Sequence, residues 1–327
     1  MLTPNEIRQI TALMRREVVP ATGCTEPAAV ALAVAYAASL VDLAPKSIEV
    51  LLSANMLKNA MGVGIPGTGT FGIPIAIALG AILAQPEKQL ELLDSFTEEE
   101  LQRAKALTKT ECIEVGLKEG DGIDRLHIEV RLTDTEGHVA RSVIKSTHTG
   151  LTELSLDGVD RMGLRQEAVA QEACPEETTE EEPIALTFDL VYGYALEAPL
   201  EEISFIYEAA LQNKRASEFS LAHSYGHSLG KLMNSDLGQR YFGNTPLTRM
   251  LAYTSSACDA RMDGAPITVM SNSGSGNQGI SSMLPVLTFA EEQGADLEQT
   301  TRAIMMSSLL VVYIKQLLGR LSCLCGM

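Results

Sequence analysis

The sequence predicts an α+β fold that is mainly helical, with a helical core and one small antiparallel sheet packed on helices. Three observations predict it. Period-two alternation of apolar and polar residues is confined to residues 47–51 and to three segments between residues 111 and 144; that period marks a half-buried strand. Thr3 followed by Glu6, and Thr97 followed by Glu100, are capping boxes, which open helices. After Pro183 no period-two segment is found, so the remainder reads as helix. The expected organisation is N-terminal helices of the core over residues 1–45, an α+β region over 46–171, an acidic linker over 172–183 and the C-terminal helical part of the core over 184–327.

Each element has a local reason. Pro4, at the first helical position after Thr3, starts a helix to about Val18. Gly23 marks a turn, and Pro27 restarts a helix through about Leu40, with Cys24 at or just before its N-terminus. Residues 47–51 form a strand. Asn55, Lys58 and Asn59, spaced by three and four, can share one face of the short helix that follows. Gly62, Gly64 and Gly67 spell G-x-G-x-x-G. The strand ends too early for a dinucleotide loop, and Pro66 removes an N–H where such a loop donates. Residues 72–83 are small and apolar, a buried helix, and Thr97 opens another to about Leu107. Residues 112–117, 126–132 and 138–144 then form an antiparallel meander with turns at Gly120 and Gly137. His127, His138 and His148 lie on or beside these strands without a shared metal spacing and read as structural or exposed. Residues 172–183 are acidic and bracketed by Pro175 and Pro183. The apolar run 303–314 reads as a buried helix, too short to span a bilayer.

A formal net charge of −17 over 327 residues argues against nucleic acid and anionic membrane surfaces as partners. The N-terminus lacks the basic region and apolar core of a signal peptide, so a cytoplasmic protein is expected. In that compartment six cysteines are core residues, reactive thiols or metal ligands rather than a disulfide framework.

The functional reading centres on Ser271, Asn272, Ser273, Gly274, Ser275, Gly276, Asn277, Gln278 and Gly279. Three glycines and three serines fall in these nine positions, between an apolar run and a helix-like segment from Ile280. Glycine lets backbone approach a ligand and aim N–H groups at it. Ser, Asn and Gln add neutral donors. Such a loop running into a helix N-terminus suits a carboxylate or phosphate, and apolar flanks favour a pocket wall over a solvent loop. Arg261 upstream suits a carboxylate by geometry, or a salt bridge to Asp259 or Asp263. His223 and His227 stand at i and i+4 but lack the neighbouring Glu and third ligand of a zinc site. Cys24 is either a small core residue or, at a helix start, a favoured thiolate.

Four segments in this order carry a resemblance. They are Gly23-Cys24-Thr25-Glu26-Pro27, Lys58-Asn59 with Val63-Gly64-Ile65-Pro66-Gly67, Asp259-Ala260-Arg261-Met262 through the glycine loop, and Leu324-Cys325-Gly326. Together they resemble the L-cysteine desulfidase family, which belongs with the iron–sulfur-dependent L-serine dehydratases as a serine dehydratase alpha-chain-like protein. The resemblance covers essentially the whole chain and is strongest in the glycine loop. It implies a lyase that converts L-cysteine to pyruvate, ammonia and sulfide, or L-serine to pyruvate and ammonia. It also implies a [4Fe–4S] cluster held by three cysteines. Cys24 matches one ligand and Cys325 a second, with Cys323 a near alternative. The third belongs to a further C-terminal region that this sequence does not include. The expectation is therefore either a truncated chain or a protein that has lost its cluster, isolated without iron and lacking desulfidase activity, with Cys112, Cys174 and Cys258 dispensable for cluster binding.

In this reading the glycine loop binds the substrate carboxylate with Arg261 and Asn59. Lys58 is the first candidate base, if burial depresses its pKa, and His227 the second. Lys58, Asn59 and the loop are expected to converge on one pocket. The expected partner is a small amino acid, with no nucleic acid, no membrane, and a homo-oligomer as an allowed assembly. Two rival readings stand beside it. Ser275-Gly276-Asn277-Gln278-Gly279 also looks like the carboxylate loop of pyridoxal-phosphate enzymes, with Lys58 as Schiff-base lysine, but the helix-rich C-terminal half lacks alternating βα units. The other is a non-catalytic helical amino-acid-binding relative.

Overall fold

The computed structural model describes residues 2–163 and 184–318. The acidic segment 172–183 and the cysteines Cys174, Cys323 and Cys325 lie outside the described residues. The fold is mainly helical with small sheets, as the periodicity predicts. The chain divides into two compact units, Met1–Gly23 with Glu180–Met327, and Cys24–Thr179.

In the unit Cys24–Thr179 a six-stranded sheet runs in the order Ile113–Leu117, Pro45–Leu52, His127–Asp134, Val139–Lys145, Leu151–Leu156, Val159–Asp160. The expected all-antiparallel meander is corrected in one place: Pro45–Leu52 pairs with Ile113–Leu117 in parallel. The helices between these two strands supply the long crossover that a parallel pair needs. The last two strands were not anticipated. Leu151, Leu154 and Leu156 are spaced by three and then two, which breaks the alternation, and a register shift at Val143/Ile144 absorbs the extra residue.

The inner face of this sheet is built from Ile48, Val50, Leu52, Ile128, Val130, Leu132 and Ala140, all fully buried. It packs on the helix Thr25–Ala38, and each large aliphatic chain there contributes about 1.5–3 kcal/mol. Ser142 shares that layer and satisfies its hydroxyl by donating to the Ala33 carbonyl at 2.6 Å. The helix Thr25–Ala38 is rich in alanine because its other neighbour, Ile73–Leu83, crosses very close. A Cβ at Gly80 would lie 2.4 Å from the Ala31 carbonyl oxygen.

The outer face is charged. Glu129 accepts from Lys118 at 2.7 Å and from Arg141 at 3.0 Å. Burial pushes its carboxyl up, but the two hydrogen-bonded cations outweigh burial and hold it at about 2. The folded value lies below the unfolded one, so the stabilisation is fully present above pH ~5 and is lost as pH falls toward 2. A shift of this size corresponds to at most about 3 kcal/mol. The stability difference between wild type and Glu129→Gln, measured by urea unfolding, should therefore be steady from pH 7 to ~5 and shrink progressively below that. A difference that stays level down to pH ~3 contradicts this assignment.

In the other unit the helices Pro4–Glu17, Phe188–Glu197, Phe205–Ala222, Pro246–Met262, Gly276–Gln293 and Leu297–Leu318 enclose a core that includes Ile10, Met14, Tyr194, Ile206, Met283 and Leu309. Leu297–Leu318 is long and apolar enough to cross a membrane by length and composition. Its Ile304, Met305, Leu309 and Val312 are buried in this core. Both anticipated capping boxes are formed, at Thr3 with Glu6 and, in the sheet-bearing unit, at Thr97 with Glu100. The expectation of no strand after Pro183 is corrected: Thr268–Met270 pairs antiparallel with Pro20–Thr22. A strand of three residues is too short for a period to show.

Candidate functional site

The site residues expected from the sequence fall into two groups, one in each unit. The first is the glycine loop with Arg261. Residues 271–275 form a tight turn, buried at Ser271, Asn272 and Ser273 and exposed at Gly274, closed by two backbone bonds, Asn272 N–H to Ser275 O and Ser275 N–H to Asn272 O, each 3.0 Å. Ser273 and Gly274 take positive φ, 50° and 79°; Gly274 does so without cost, Ser273 with strain. Ser275 then caps the helix Gly276–Gln293, its hydroxyl accepting from the Gln278 N–H. Gly276, Asn277, Gln278 and Gly279 are thus the first helical turn rather than loop.

Most of the turn's side-chain donors are already committed. Ser271 Oγ donates to the Val19 carbonyl at 2.7 Å, Asn272 Nδ2 to the Ser308 carbonyl at 2.9 Å, and Ser273 Oγ to Asn272 Oδ1 at 2.9 Å. These three residues shape the turn. The Gln278 N–H is taken by Ser275 Oγ and the Gly279 N–H by the Ser275 carbonyl, so the donors left for a ligand are the N–H groups of Gly276 and Asn277 and the guanidinium of Arg261.

Arg261 is 4 % exposed. Its Nη1 donates to Asn277 Oδ1 at 3.0 Å, and its Nε is buried without a partner. The alternative reading, an ion pair to Asp259 or Asp263, is not formed. Asp259 accepts from the N–H groups of His227 and Leu229, and Asp263 from that of Gly226. Gly276 lets the guanidinium lie against the helix start, since a Cβ there would be 2.3 Å from Arg261 Nε. Gln278 Oε1 is also buried and unpartnered.

Two features of this unit escaped the sequence. Asn213, fully buried on the helix Phe205–Ala222, clamps the residue just before the turn: Oδ1 accepts from the Met270 N–H at 2.7 Å and Nδ2 donates to its carbonyl at 3.1 Å. A side-chain amide thereby does the work of a neighbouring strand. The available signal was an Asn among the buried positions Ile206, Ala209, Ala210, Ala216 of one helix face. His227 is the second. The chain leaves the helix at Ala222, His223 is its C-cap, and the His227 side chain is 96 % exposed. The helical i, i+4 pair is therefore corrected to two separate histidines.

The second group lies in the unit Cys24–Thr179. Cys24 is the N-cap of the helix Thr25–Ala38, in extended conformation. Its Sγ donates to Glu26 Oε2 at 2.7 Å, and Asn59 Nδ2 donates to Glu26 Oε1 at 3.3 Å. Glu26 is buried and joins two of the expected site residues, although the sequence marked it only as part of a helix start. Asn59 Oδ1 is buried with no hydrogen-bond partner. Lys58, on the short helix Ala54–Ala60, is exposed, so the burial on which its reading as a base rests is not there.

Residues 87–327 match the family described as serine dehydratase alpha chain. This chain belongs to that family. Its relatives include a UPF0597 protein of Porphyromonas gingivalis, 54 % identical over 98 % of this chain and 73 % of the relative. UPF0597 proteins of Bacteroides fragilis, 50 % identical over 99 % of this chain and 74 % of the relative, and of Parabacteroides distasonis, 49 % identical over 97 % and 72 %, are similar. No solved structure matches the chain.

The serine dehydratase alpha chain family is generally iron–sulfur-dependent, so the thiols are of interest. The Cys112 thiol is pushed up by burial and faces the Pro45 carbonyl. Burial pushes the Cys258 thiol up to about 11. Cys24 is half-buried at a helix N-terminus with its Sγ donating to Glu26, and Cys325 lies outside the described residues. Among the described residues no three His, Cys, Asp or Glu side chains are grouped to hold a metal ion. The described residues alone do not make up a cluster site.

Proposed function

We propose that this chain binds a small α-amino acid through its carboxylate and serves the β-elimination of L-cysteine to pyruvate, ammonia and sulfide, or of L-serine to pyruvate and ammonia. Family membership supports a dehydratase or lyase-type function. One observation carries the carboxylate site: a buried guanidinium, Arg261, has no carboxylate partner among the described residues and lies against the N-terminus of a long helix. A buried cation left without an anion is costly. A substrate carboxylate, taken by Arg261 Nε and the N–H groups of Gly276 and Asn277, offsets that cost.

In the elimination the Cα–H bond breaks and its electron pair becomes the Cα=Cβ bond. The Cβ–S or Cβ–O bond breaks with its pair on the leaving atom, which is protonated to hydrogen sulfide or water. The enamine tautomerises to an imine, which water hydrolyses to pyruvate and ammonia. Fixing the carboxylate on Arg261 orients Cα–H, and the positive field beside it favours loss of that proton. Asn59, whose Oδ1 is buried with no hydrogen-bond partner, is kept as a substrate-binding candidate within its own unit. Lys58 and His227 remain the candidate bases, both with exposed side chains. In this reading Cys24 and Cys325 (or Cys323) would hold the family's cluster with a third thiol, and the cluster would supply a Lewis acid for the departing thiol or hydroxyl.

The test uses the protein extended to its relatives' full length and reconstituted anaerobically with iron and sulfide. Pyruvate and sulfide should appear in equal amounts from L-cysteine. Cys24→Ala should lose most of the bound iron along with turnover, while Cys112→Ala and Cys258→Ala keep both. Unchanged iron content and turnover in Cys24→Ala would overturn the reading.

A further inference from the structure

We infer that the outer face of the six-stranded sheet holds a second small-molecule site, for a zwitterion the size of a small α-amino acid. It lies wholly within the unit Cys24–Thr179 and uses none of the residues assigned above. Its basis is a row of side chains at one level of the sheet. The register pairs Glu114 with Glu49, Glu49 with Arg131, Arg131 with Arg141, and Arg141 with Ser155. Two carboxylates therefore stand side by side, followed by two guanidiniums. Like charges directly opposite each other on neighbouring strands are destabilising, and this row contains two such pairs. A cavity of about 390 Å³ opens over it, lined among others by Glu49, Leu51, Glu129, Arg131, Val139 and Arg141. That is the size range of small-molecule sites.

One wall is fixed. Arg141 is held between Glu129 and Glu153, with Lys118 on Glu129 and Lys145 near Glu153. Arg131 and Glu49, by contrast, form no ion pair or side-chain hydrogen bond among the described residues. They are the charges available to a ligand, opposite in sign and on adjacent strands. A carboxylate fits Arg131 with Arg141 beside it, and an ammonium fits Glu49 with Glu114 beside it. Leu51 and Val139 give a small side chain an apolar floor. A phosphate-rich ligand meets the carboxylates of Glu49 and Glu129, and a simple cation meets the two arginines. A zwitterion satisfies both halves of the row.

Calorimetric titration of the full chain with L-alanine tests this. L-Alanine has no β-leaving group and so binds without turnover. Wild type should take up two equivalents and Arg261→Met one. Adding Arg131→Gln or Glu49→Gln to Arg261→Met should weaken the remaining event by roughly tenfold or more. Amide shifts in that variant should concentrate in the strands Pro45–Leu52, His127–Asp134 and Val139–Lys145. Both substitutions are at exposed positions, and circular dichroism confirms that the fold is kept. One equivalent in wild type that Arg261→Met abolishes overturns the second site and leaves the loop site standing. One equivalent that Arg131→Gln abolishes upholds the second site and overturns the loop site. No uptake overturns both, and a remaining event indifferent to Arg131→Gln overturns the second site.

Discussion

Alanine at Gly279 is expected to destabilise its unit by about 3 kcal/mol. The added Cβ would sit 2.0 Å from the Met270 carbonyl oxygen and 2.7 Å from the Ser271 carbonyl carbon. Both contacts are backbone, so no side chain can rotate away to relieve them. Met270 cannot retreat either, because Asn213 grips its N–H and its carbonyl together. Urea unfolding measures the loss, with Gly62→Ala as the control, since a Cβ at Gly62 meets nothing within 4 Å. A loss below ~1 kcal/mol at Gly279 shows that residues 270 and 271 yield, and with them the rigidity claimed for the turn.

Arg261→Met should separate stability from binding. Replacing a buried charge that lacks an anion with an apolar chain of similar length is expected to leave stability unchanged or raise it, by up to about 4 kcal/mol. Affinity for L-alanine at the loop site should fall by roughly 100-fold, the consequence of losing a buried, charge-assisted contact. Gly276→Ala tests the same point with the charge kept, because its Cβ displaces the guanidinium from the helix start. It should share the binding defect. A residue needed only for folding gives the opposite pattern for Arg261→Met: stability falls while the affinity of the surviving folded protein holds.

What could be read in the sequence was what is local. Thr3 and Thr97 cap their helices through atoms three residues away, and the structure forms both boxes. The glycine turn announced itself by composition, and Arg261 by being a cation in an otherwise small and polar segment. What could not be read depends on partners distant in sequence. Glu26 meets Asn59 across 33 positions and Asn213 meets Met270 across 57. His227 is turned outward because Asp259 and Asp263 capture the backbone at residues 226–229, an outcome no helical period encodes. The parallel pairing of Pro45–Leu52 with Ile113–Leu117 is likewise a matter of which strands meet. Alternation shows only that each is a strand. The donors attributed to Ser271, Asn272 and Ser273 were legible as residue types, but not their engagement with Val19 and Ser308.

That engagement has a consequence for synthesis. The turn is tied to Val19 and Glu17 on one side and to Ser308 on the other, so the sequence of the whole unit Cys24–Thr179 is translated between the turn's first anchor and the turn itself. On the ribosome the inserted segment is complete long before its host can close. At ordinary elongation rates the first helix waits roughly 15–60 s for residue 308 to be made. During that interval its buried-to-be positions Ile10, Leu13 and Met14 have no native partner. Limited proteolysis of stalled chains should therefore show a protected middle with a cleavable beginning.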